Sequence, residues 1–260
     1  MSKLNDSNRY RLNDKEIKII MESREKEGAE EVRNVLVISD LHLPFEREGY
    51  LEFCKEQYDK YNCNQVVFIG DIIDSHFSSY HETDPDGLGG GDELELCINK
   101  AQEWHAAFPD AYVTSGNHDQ IIQRKAFSSK VPKQWLKDFN GVLGTPTWKW
   151  VTEVYLDDVR YVHGHKSGKP SMASKRDMCS HVSGHYHTDF YINWNFGINH
   201  AVFGMAVGTG VNDKEYAFRY AAGGKKSAVG CGVVLDNGQT PILIRMPLGV
   251  QSTDKFIVEI

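Results

Sequence analysis

From Val35 onward, short apolar runs alternate with stretches whose apolar residues recur every three or four positions. Val35-Leu36-Val37-Ile38 and Val66-Val67-Phe68-Ile69 are unbroken runs of aliphatic and aromatic residues, the pattern of strands buried on both faces. Leu51, Cys54 and Tyr58 mark one side of a helix between them. Leu94, Ile98, Ala101, Trp104 and Phe108 form the inner stripe of a second helix over residues 92–108. Tyr112-Val113-Thr114 predicts a third strand. This β-α-β-α-β rhythm implies a largely parallel sheet with helices on its faces. Beyond Trp148 the punctuation shortens. Residues 148–156, 159–162, 203–207, 228–235 and 241–245 read as strands, with Asp157-Asp158 and Asn237-Gly238 as turns. A second, more antiparallel sheet packed on the first is the economical arrangement. Residues 84–91, rich in glycine, read as a loop.

The first 32 residues differ from the rest. Their charges are dense and balanced in sign. Asn13 with Glu16 reads as a helix start, and Ile17, Ile20 and Met21 supply one apolar stripe. The expected organisation is an N-terminal helical extension over 1–32 followed by one domain over 33–260. That helix is the feature a protein partner would use.

Composition narrows the class. The chain has 260 residues, 40% hydrophobic and 25% charged, as in ordinary globular proteins. No apolar run approaches the roughly 20 residues that span a bilayer, and the polar N-terminus has no signal-peptide core, so a cytoplasmic protein without membrane attachment is expected. Cys54, Cys63, Cys97, Cys179 and Cys231 are scattered, with no C-x-x-C pair, and read as buried reduced thiols. A net charge of −7 opposes extensive binding to a phosphate backbone but leaves room for a small basic patch.

Five polar motifs each follow a run of strand-forming residues: Asp40-Leu41-His42, Gly70-Asp71-Ile72-Ile73-Asp74, Gly116-Asn117-His118-Asp119, His163-Gly164 and Gly184-His185-Tyr186-His187. In an open α/β sheet the carboxyl ends of the strands form the ligand crevice. Residues two apart on a strand point the same way, so Asp40 with His42, and His185 with His187 if extended, can each grip one cation. Seven such groups on one edge would repel each other and lose solvation unless divalent cations joined them. Two metals held by Asp, His and Asn are a device for attacking phosphate esters.

These motifs resemble the calcineurin-like metallophosphoesterase superfamily, with its D-x-H, G-D-x-x-D, G-N-H-[DE], H and G-H-x-H pattern, over roughly residues 33–210. The resemblance is to its compact bacterial and phage-type phosphoesterases. It implies an α/β fold, a four-layer α/β/β/α sandwich of two mixed sheets flanked by helices, with residues 33–260 as the metallophosphoesterase domain. Carried across, Asp40, His42 and His187 would bind one metal, Asn117, His163 and His185 a second, and Asp71 would bridge ions about 3.5–4 Å apart. Mixed nitrogen and oxygen ligands suit two divalent transition-metal ions, manganese, iron, zinc or nickel, and the resemblance puts manganese first. A hydroxide bridging the metals would attack phosphorus in line. His118, held by Asp74, would protonate the leaving group.

Outside the motifs, His165 competes with His163 for the ligand role, but His163 directly precedes glycine as the pattern requires. His76 is a weaker candidate, for a phosphate contact. His81, His105, His181 and His200 read as structural or exposed. The protein phosphatases of the superfamily carry Arg after the second Asp of G-D-x-x-D and lack the second His of G-H-x-H. Here Ser75 and His76 follow Asp74, and His187 is present. Both departures point to the phosphodiesterase and nuclease branches, although repair nucleases carry an added DNA-capping domain for which the chain looks too short. Around the site, Lys166, Lys169, Lys175 and Arg176, with Arg124 and Lys125, could form a positive rim. Tyr80 and Trp194 are read as packing rather than as base-stacking groups.

The expected function is hydrolysis of a phosphodiester of nucleotide or nucleic-acid type by a dinuclear metal centre. The alternatives are a phosphomonoesterase for nucleotides or small phosphates, and a non-catalytic metal-binding scaffold.

Overall fold

The computed structural model describes residues 32–80, 82–221 and 226–248. The expected N-terminal helix, and His81, lie outside them. Strand β1 (Val35–Ile38) shows why an unbroken apolar run was required. Leu36 and Ile38 face a core on the helical side, whereas Val35 and Val37 face the second sheet. β2 (Gln65–Ile69) repeats the division, with Val66 and Phe68 on one side and Val67 and Ile69 on the other. Period-two alternation therefore serves two cores at once.

Helix α1 (Tyr50–Lys60) follows β1, and α2 (Gly90–Ala107) follows β2. Next come β3 (Ala111–Thr114), α3 (Ile121–Ser128) and α4 (Phe139–Leu143), the last capped by the Asp138 side chain. The expected strand 148–156 is two strands. β4 (Lys149–Val151) closes the edge of the first sheet, and after Thr152 the chain crosses to the second sheet as β5 (Glu153–Leu156). β6 (Val159–Val162), α5 (Pro170–Asp177), β7 (Ser180–Ser183), β8 (Phe190–Phe196) and β9 (Ala201–Val207) follow. β10 (Gly230–Leu235) and β11 (Thr240–Arg245) return to the first sheet instead of extending the second.

The first sheet has the order β11-β10-β1-β2-β3-β4. Its last four strands are parallel, and β10 runs antiparallel to β1 and β11. The second has the order β5-β6-β7-β9-β8, with parallel pairing at its centre and antiparallel pairs at both edges. It is mixed rather than mainly antiparallel. α1 and α2 cover the outer face of the first sheet, and α5 packs on β7, β8 and β9. The architecture is the four-layer α/β/β/α sandwich.

The inner stripe of α2 has Ala101 and Trp104 buried as expected, with Phe108 buried just past its end, but its first turns face inward through Glu93 and Cys97, leaving Leu94 and Ile98 at the margin. A carboxylate leads the stripe because the turn at His76–Ser78 needs an acceptor. Glu93 takes the backbone N–H of His76 on one oxygen (2.7 Å) and that of Phe77 on the other (3.1 Å). Burial pushes its pKa up to about 7 against those two donors. Replacing Glu93 by Ala strands both donors, at about 1–3 kcal/mol for each group left unpaired. The E93A variant should therefore unfold in urea at a clearly lower midpoint with an unchanged m-value, a loss of about 2–6 kcal/mol in all.

Candidate metal centre

The five motifs occupy loops at the carboxyl ends of parallel strands: β1, β2 and β3 in the first sheet, β6 and β7 in the second. What brings their side chains together is not strand alternation. β1 ends at Ile38, and Asp40 and His42 both adopt left-handed backbone angles (φ 51° and 50°), as do Asp71 (48°) and His185 (68°). Non-glycine residues held there cost about 1–3 kcal/mol each and survive only where their surroundings fix them.

That fixing is visible. The first two loops run side by side, with the His42 N–H on the Asp71 carbonyl (2.9 Å) and the Leu43 N–H on that of Ile72 (2.8 Å). Asp119 ties the second loop to the third. One of its carboxylate oxygens accepts the N–H groups of Ile72 (2.9 Å) and Ile73 (3.0 Å), the other that of Gly116 (2.8 Å). Burial and the neighbouring Asp71 charge push its pKa up to about 7, against the pull of those donors. The His185 N–H donates to Asp40 Oδ2 (2.9 Å), and the Thr209 hydroxyl to the Asp40 carbonyl (2.8 Å). Two glycines permit the approach: a Cβ on Gly116 would run into Asp71, and one on Gly184 into Ser39 and Asp40.

Two ring nitrogens are oriented by their partners. His42 Nδ1 donates to Asp74 Oδ1 at 2.6 Å, so its Nε2 is the nitrogen aimed inward, open to a proton or a cation. Burial opposes charge on the ring, but the Asp40 and Asp74 carboxylates raise its pKa well above the usual imidazole range. His163 Nδ1 donates to the Ile69 carbonyl at 2.9 Å, which likewise aims its Nε2 inward. His163 Nε2 then faces two acceptors, Asp71 Oδ2 and Asn117 Oδ1, each at 3.1 Å. Three acceptors at such distances require a proton or a cation between them. Burial disfavours charge on His163, yet the Asp71 carboxylate prevails and raises its pKa to about 9. Burial likewise opposes ionisation of Asp71, but the positive imidazoles beside it, His163 foremost, hold its pKa far below the usual carboxylate range. A divalent cation satisfies the same demand with more charge, so this donor set fits metal.

The side chains group accordingly. Potential ligand atoms of Asp40, His42 and His187 lie within 4.8 Å of one another, as do those of Asp71, His163 and His185. His187 Nε2 stands 3.3 Å from Asp40 Oδ1 and 3.2 Å from His42 Nε2. Asp71 Oδ2 belongs to both neighbourhoods, 3.1 Å from His163 Nε2 and 3.7 Å from His42 Nε2. Asn117 joins the second through its contact with His163.

His118 lies on the rim, its side chain 12% exposed where Asp40, His42, Asp71 and His163 are sealed. Its Nδ1 donates to the backbone carbonyl of Asp74 (2.8 Å), and the Asp74 carboxylate, committed to His42, is 3.4 Å away. Asp74 thus touches His118 mainly through its main chain. Burial and the adjacent His42 lower the pKa of His118.

Other sequence expectations divide. His165 sits behind His163, ring centroids 5.3 Å apart, and neither of its nitrogens finds a hydrogen-bond partner among the described residues. His76 is buried, accepts the Asp84 N–H (3.1 Å) and packs on Phe45 and Tyr216, a structural role. His105 bonds Thr147, buried His181 lies 3.2 Å from Asp177, and His200 is exposed. In the expected rim, Lys169 is paired with Asp189 and Arg176 with Asp177. Trp194 packs on Phe196 and Phe203 as expected, whereas Tyr80 is exposed beneath Arg124 and Lys125. Phe218, unremarked in the sequence, closes the site edge-on against His42 (5.5 Å) and His187 (6.3 Å). Only its long-range placement reveals it.

A two-sheet sandwich with Asp, Asn and His gathered at the strand ends defines a metallophosphoesterase-type scaffold. The sequence model for calcineurin-like phosphoesterases matches residues 33–201, and the chain belongs to that family. No curated protein sequence matches it. Among solved structures, Vacuolar Protein Sorting 29 from Cryptosporidium parvum is 15% identical, with a TM-score of 0.44 and coverage of 78% of this chain and 85% of that one. YfcE, a phosphoesterase from E. coli, is 15% identical (TM-score 0.40; 82% and 100% covered). The nuclease MPE of Pseudomonas putida is 13% identical (TM-score 0.41; 80% and 87% covered). Among the described residues no helix is long and apolar enough to cross a membrane.

Proposed function

We propose that the protein hydrolyses phosphodiesters of nucleotide or nucleic-acid type at a dinuclear metal centre. Asp40, His42 and His187 would hold one divalent cation and Asn117, His163 and His185 the other, with the Asp71 carboxylate available to both. The observation that carries this reading is the single oxygen, Asp71 Oδ2, lying 3.7 Å from His42 Nε2 and 3.1 Å from His163 Nε2. The donor set of imidazoles, an amide oxygen and carboxylates suits manganese, iron, zinc or nickel, and manganese is the first candidate because the family often uses it. Bound there, the cations would activate water as a nucleophile and neutralise charge on the phosphoryl group.

The chain's own residues do the remainder. Asp74 keeps Nδ1 of His42 protonated and so holds its other nitrogen ready as a ligand. The Asp74 carbonyl fixes the His118 ring with Nδ1 as donor, leaving Nε2 to carry a proton toward the leaving oxygen. An arriving phosphate diester brings negative charge that draws that proton onto Nε2. Phe218 keeps water from the side of His42 and His187. No arginine follows Asp74 to clamp a monoester dianion; Ser75 stands there instead.

The reading is tested by offering the manganese-loaded protein bis-(p-nitrophenyl) phosphate and p-nitrophenyl phosphate at equal concentrations. Faster release from the diester is expected. Faster release from the monoester replaces this reading by the phosphomonoesterase. No release from either, with two metals bound, leaves a metal-binding scaffold.

A further inference from the structure

Immediately after His118 and Asp119 the chain turns basic. Residues 120–137 contain Arg124, Lys125, Lys130, Lys133 and Lys137 and no carboxylate, in a chain whose net charge is −7. None of the five forms an ion pair with a described residue, and all but Lys125 are exposed. Interleaved with them are aromatic side chains that the fold leaves in solvent. Phe127 is 84% exposed and Trp135 81%, with Ile122 and Val131 beside them. Aromatic and cationic groups left outside together mark a binding surface, since burial would otherwise have been favourable for the rings.

The patch is one ordered piece. The Ile121 N–H donates to the His118 carbonyl (3.0 Å), tying the start of α3 to the rim of the metal centre. The Val131 N–H donates to the Ala126 carbonyl (2.8 Å), and the turn at Lys133–Trp135 packs back on α3. Tyr80 joins from the second motif's loop. The Arg124 guanidinium lies 4.9 Å and the Lys125 ammonium 5.3 Å from its ring centroid, and Lys125 also reaches the Ser79 carbonyl (3.5 Å).

We propose that Tyr80, α3 and residues 129–137 form a docking surface for single-stranded polynucleotide, leading the chain of phosphodiesters to the metal centre beside His118. The inference rests on the phosphodiester reading above and names its substrate. Unpaired bases stack on exposed aromatic faces, whereas the bases of a duplex are stacked on each other and out of reach. The cations neutralise successive phosphates. An anionic membrane would also attract such a mixture, but α3 is short and offers only Ile122 and Phe127 as large exposed apolar side chains, little area to bury among acyl chains. The contiguous phosphate-ester site requires a ligand of the charge this patch attracts.

The test uses the full-length manganese-loaded protein with a fluorescein-labelled oligothymidylate, its duplex with oligodeoxyadenylate, and phosphatidylserine vesicles. Binding is read by anisotropy and co-sedimentation, and cleavage on gels. Wild-type protein should bind and cut the single strand in preference to the duplex. Trp135→Ala and the pair Lys130→Glu/Lys133→Glu should each weaken oligonucleotide binding at least about tenfold, with bis-(p-nitrophenyl) phosphate turnover unchanged. The paired charge variant should also flatten the slope of log affinity against log salt by about 0.7 for each phosphate that is no longer neutralised. Equal binding by wild type and variants, or binding to vesicles without binding to oligothymidylate, overturns the proposal and leaves the diester reading standing. Absence of bis-(p-nitrophenyl) phosphate turnover defeats that reading instead, while anisotropy, which needs no turnover, still decides the surface.

Discussion

Replacing Asp71 by Asn should lower turnover of the diester by about 10³-fold or more. Metal content after reconstitution should fall from two equivalents toward one or none. Asn preserves volume and can still accept the His118 N–H at Oδ1, which lies 2.8 Å away in Asp71, so the fold persists. What it loses is a negative oxygen shared between His42 and His163. Metal stabilisation of phosphoryl charge is worth several kcal/mol, and each 1.36 kcal/mol is tenfold in rate. Thermal melts read the same change independently of activity. A cation bound at 100 times its dissociation constant stabilises the native state by about 2.7 kcal/mol. Manganese should therefore raise the melting temperature of the wild-type protein and barely move that of D71N. A D71N protein with two bound metals and full activity would refute the shared-carboxylate arrangement.

His118→Ala should leave metal content and the manganese-induced rise in melting temperature intact. Turnover of a diester with an alkyl leaving group should fall by about 10²–10⁴-fold, the usual worth of a positioned general acid. With p-nitrophenolate, which departs without needing a proton, the loss should be much smaller. The dependence on leaving group distinguishes an acid from a structural histidine. Its mutation would otherwise slow both substrates equally. Equal losses, or loss of metal, would remove His118 from the chemistry. Metal content is the necessary control, because the His118 ring packs edge-on against His42 (4.6 Å) and lies 3.4 Å from the Asp74 carboxylate that orients His42, although its own hydrogen bond goes to the Asp74 backbone carbonyl.

Much of the fold was legible because burial on both faces leaves a plain signature. β1 and β2 are unbroken apolar runs rich in β-branched residues and bounded by polar residues or glycine, the pattern of strands buried on both faces. β7 gave no such signal. Ser180, His181, Val182 and Ser183 are all buried at the centre of the second sheet, yet only one is aliphatic. α5 covers that strand, and the Ser180 hydroxyl accepts the Phe203 N–H (3.2 Å), while the His181 ring nitrogens and the Ser183 hydroxyl find no hydrogen-bond partner among the described residues, so the strand is buried by its place in the sheet and not by its own apolarity. β8 does alternate, with Phe190, Ile192, Trp194 and Phe196 at every second position, and stands antiparallel to β9 at an edge. The crossing at Thr152 was invisible for another reason: two strands of one continuous β-like stretch belong to different sheets.

The chemistry of the site was written in the sequence by type and order. Asp, His and Asn in five motifs cannot all be buried together without protons or cations between them, and that follows from charge and solvation alone. What the sequence could not contain is how they meet. Period-two alternation in Asp40-x-His42 is replaced by left-handed backbone, and such angles are held by bonds to other loops, the Asp119 carboxylate and the Thr209 hydroxyl among them. The tautomers of His42 and His163 depend on Asp74 and the Ile69 carbonyl, reached only when the strands pair. Local composition thus determined which atoms can serve as ligands. Tertiary contact alone decided which lone pairs face one another, since that orientation is a property of neighbours brought together from across the chain.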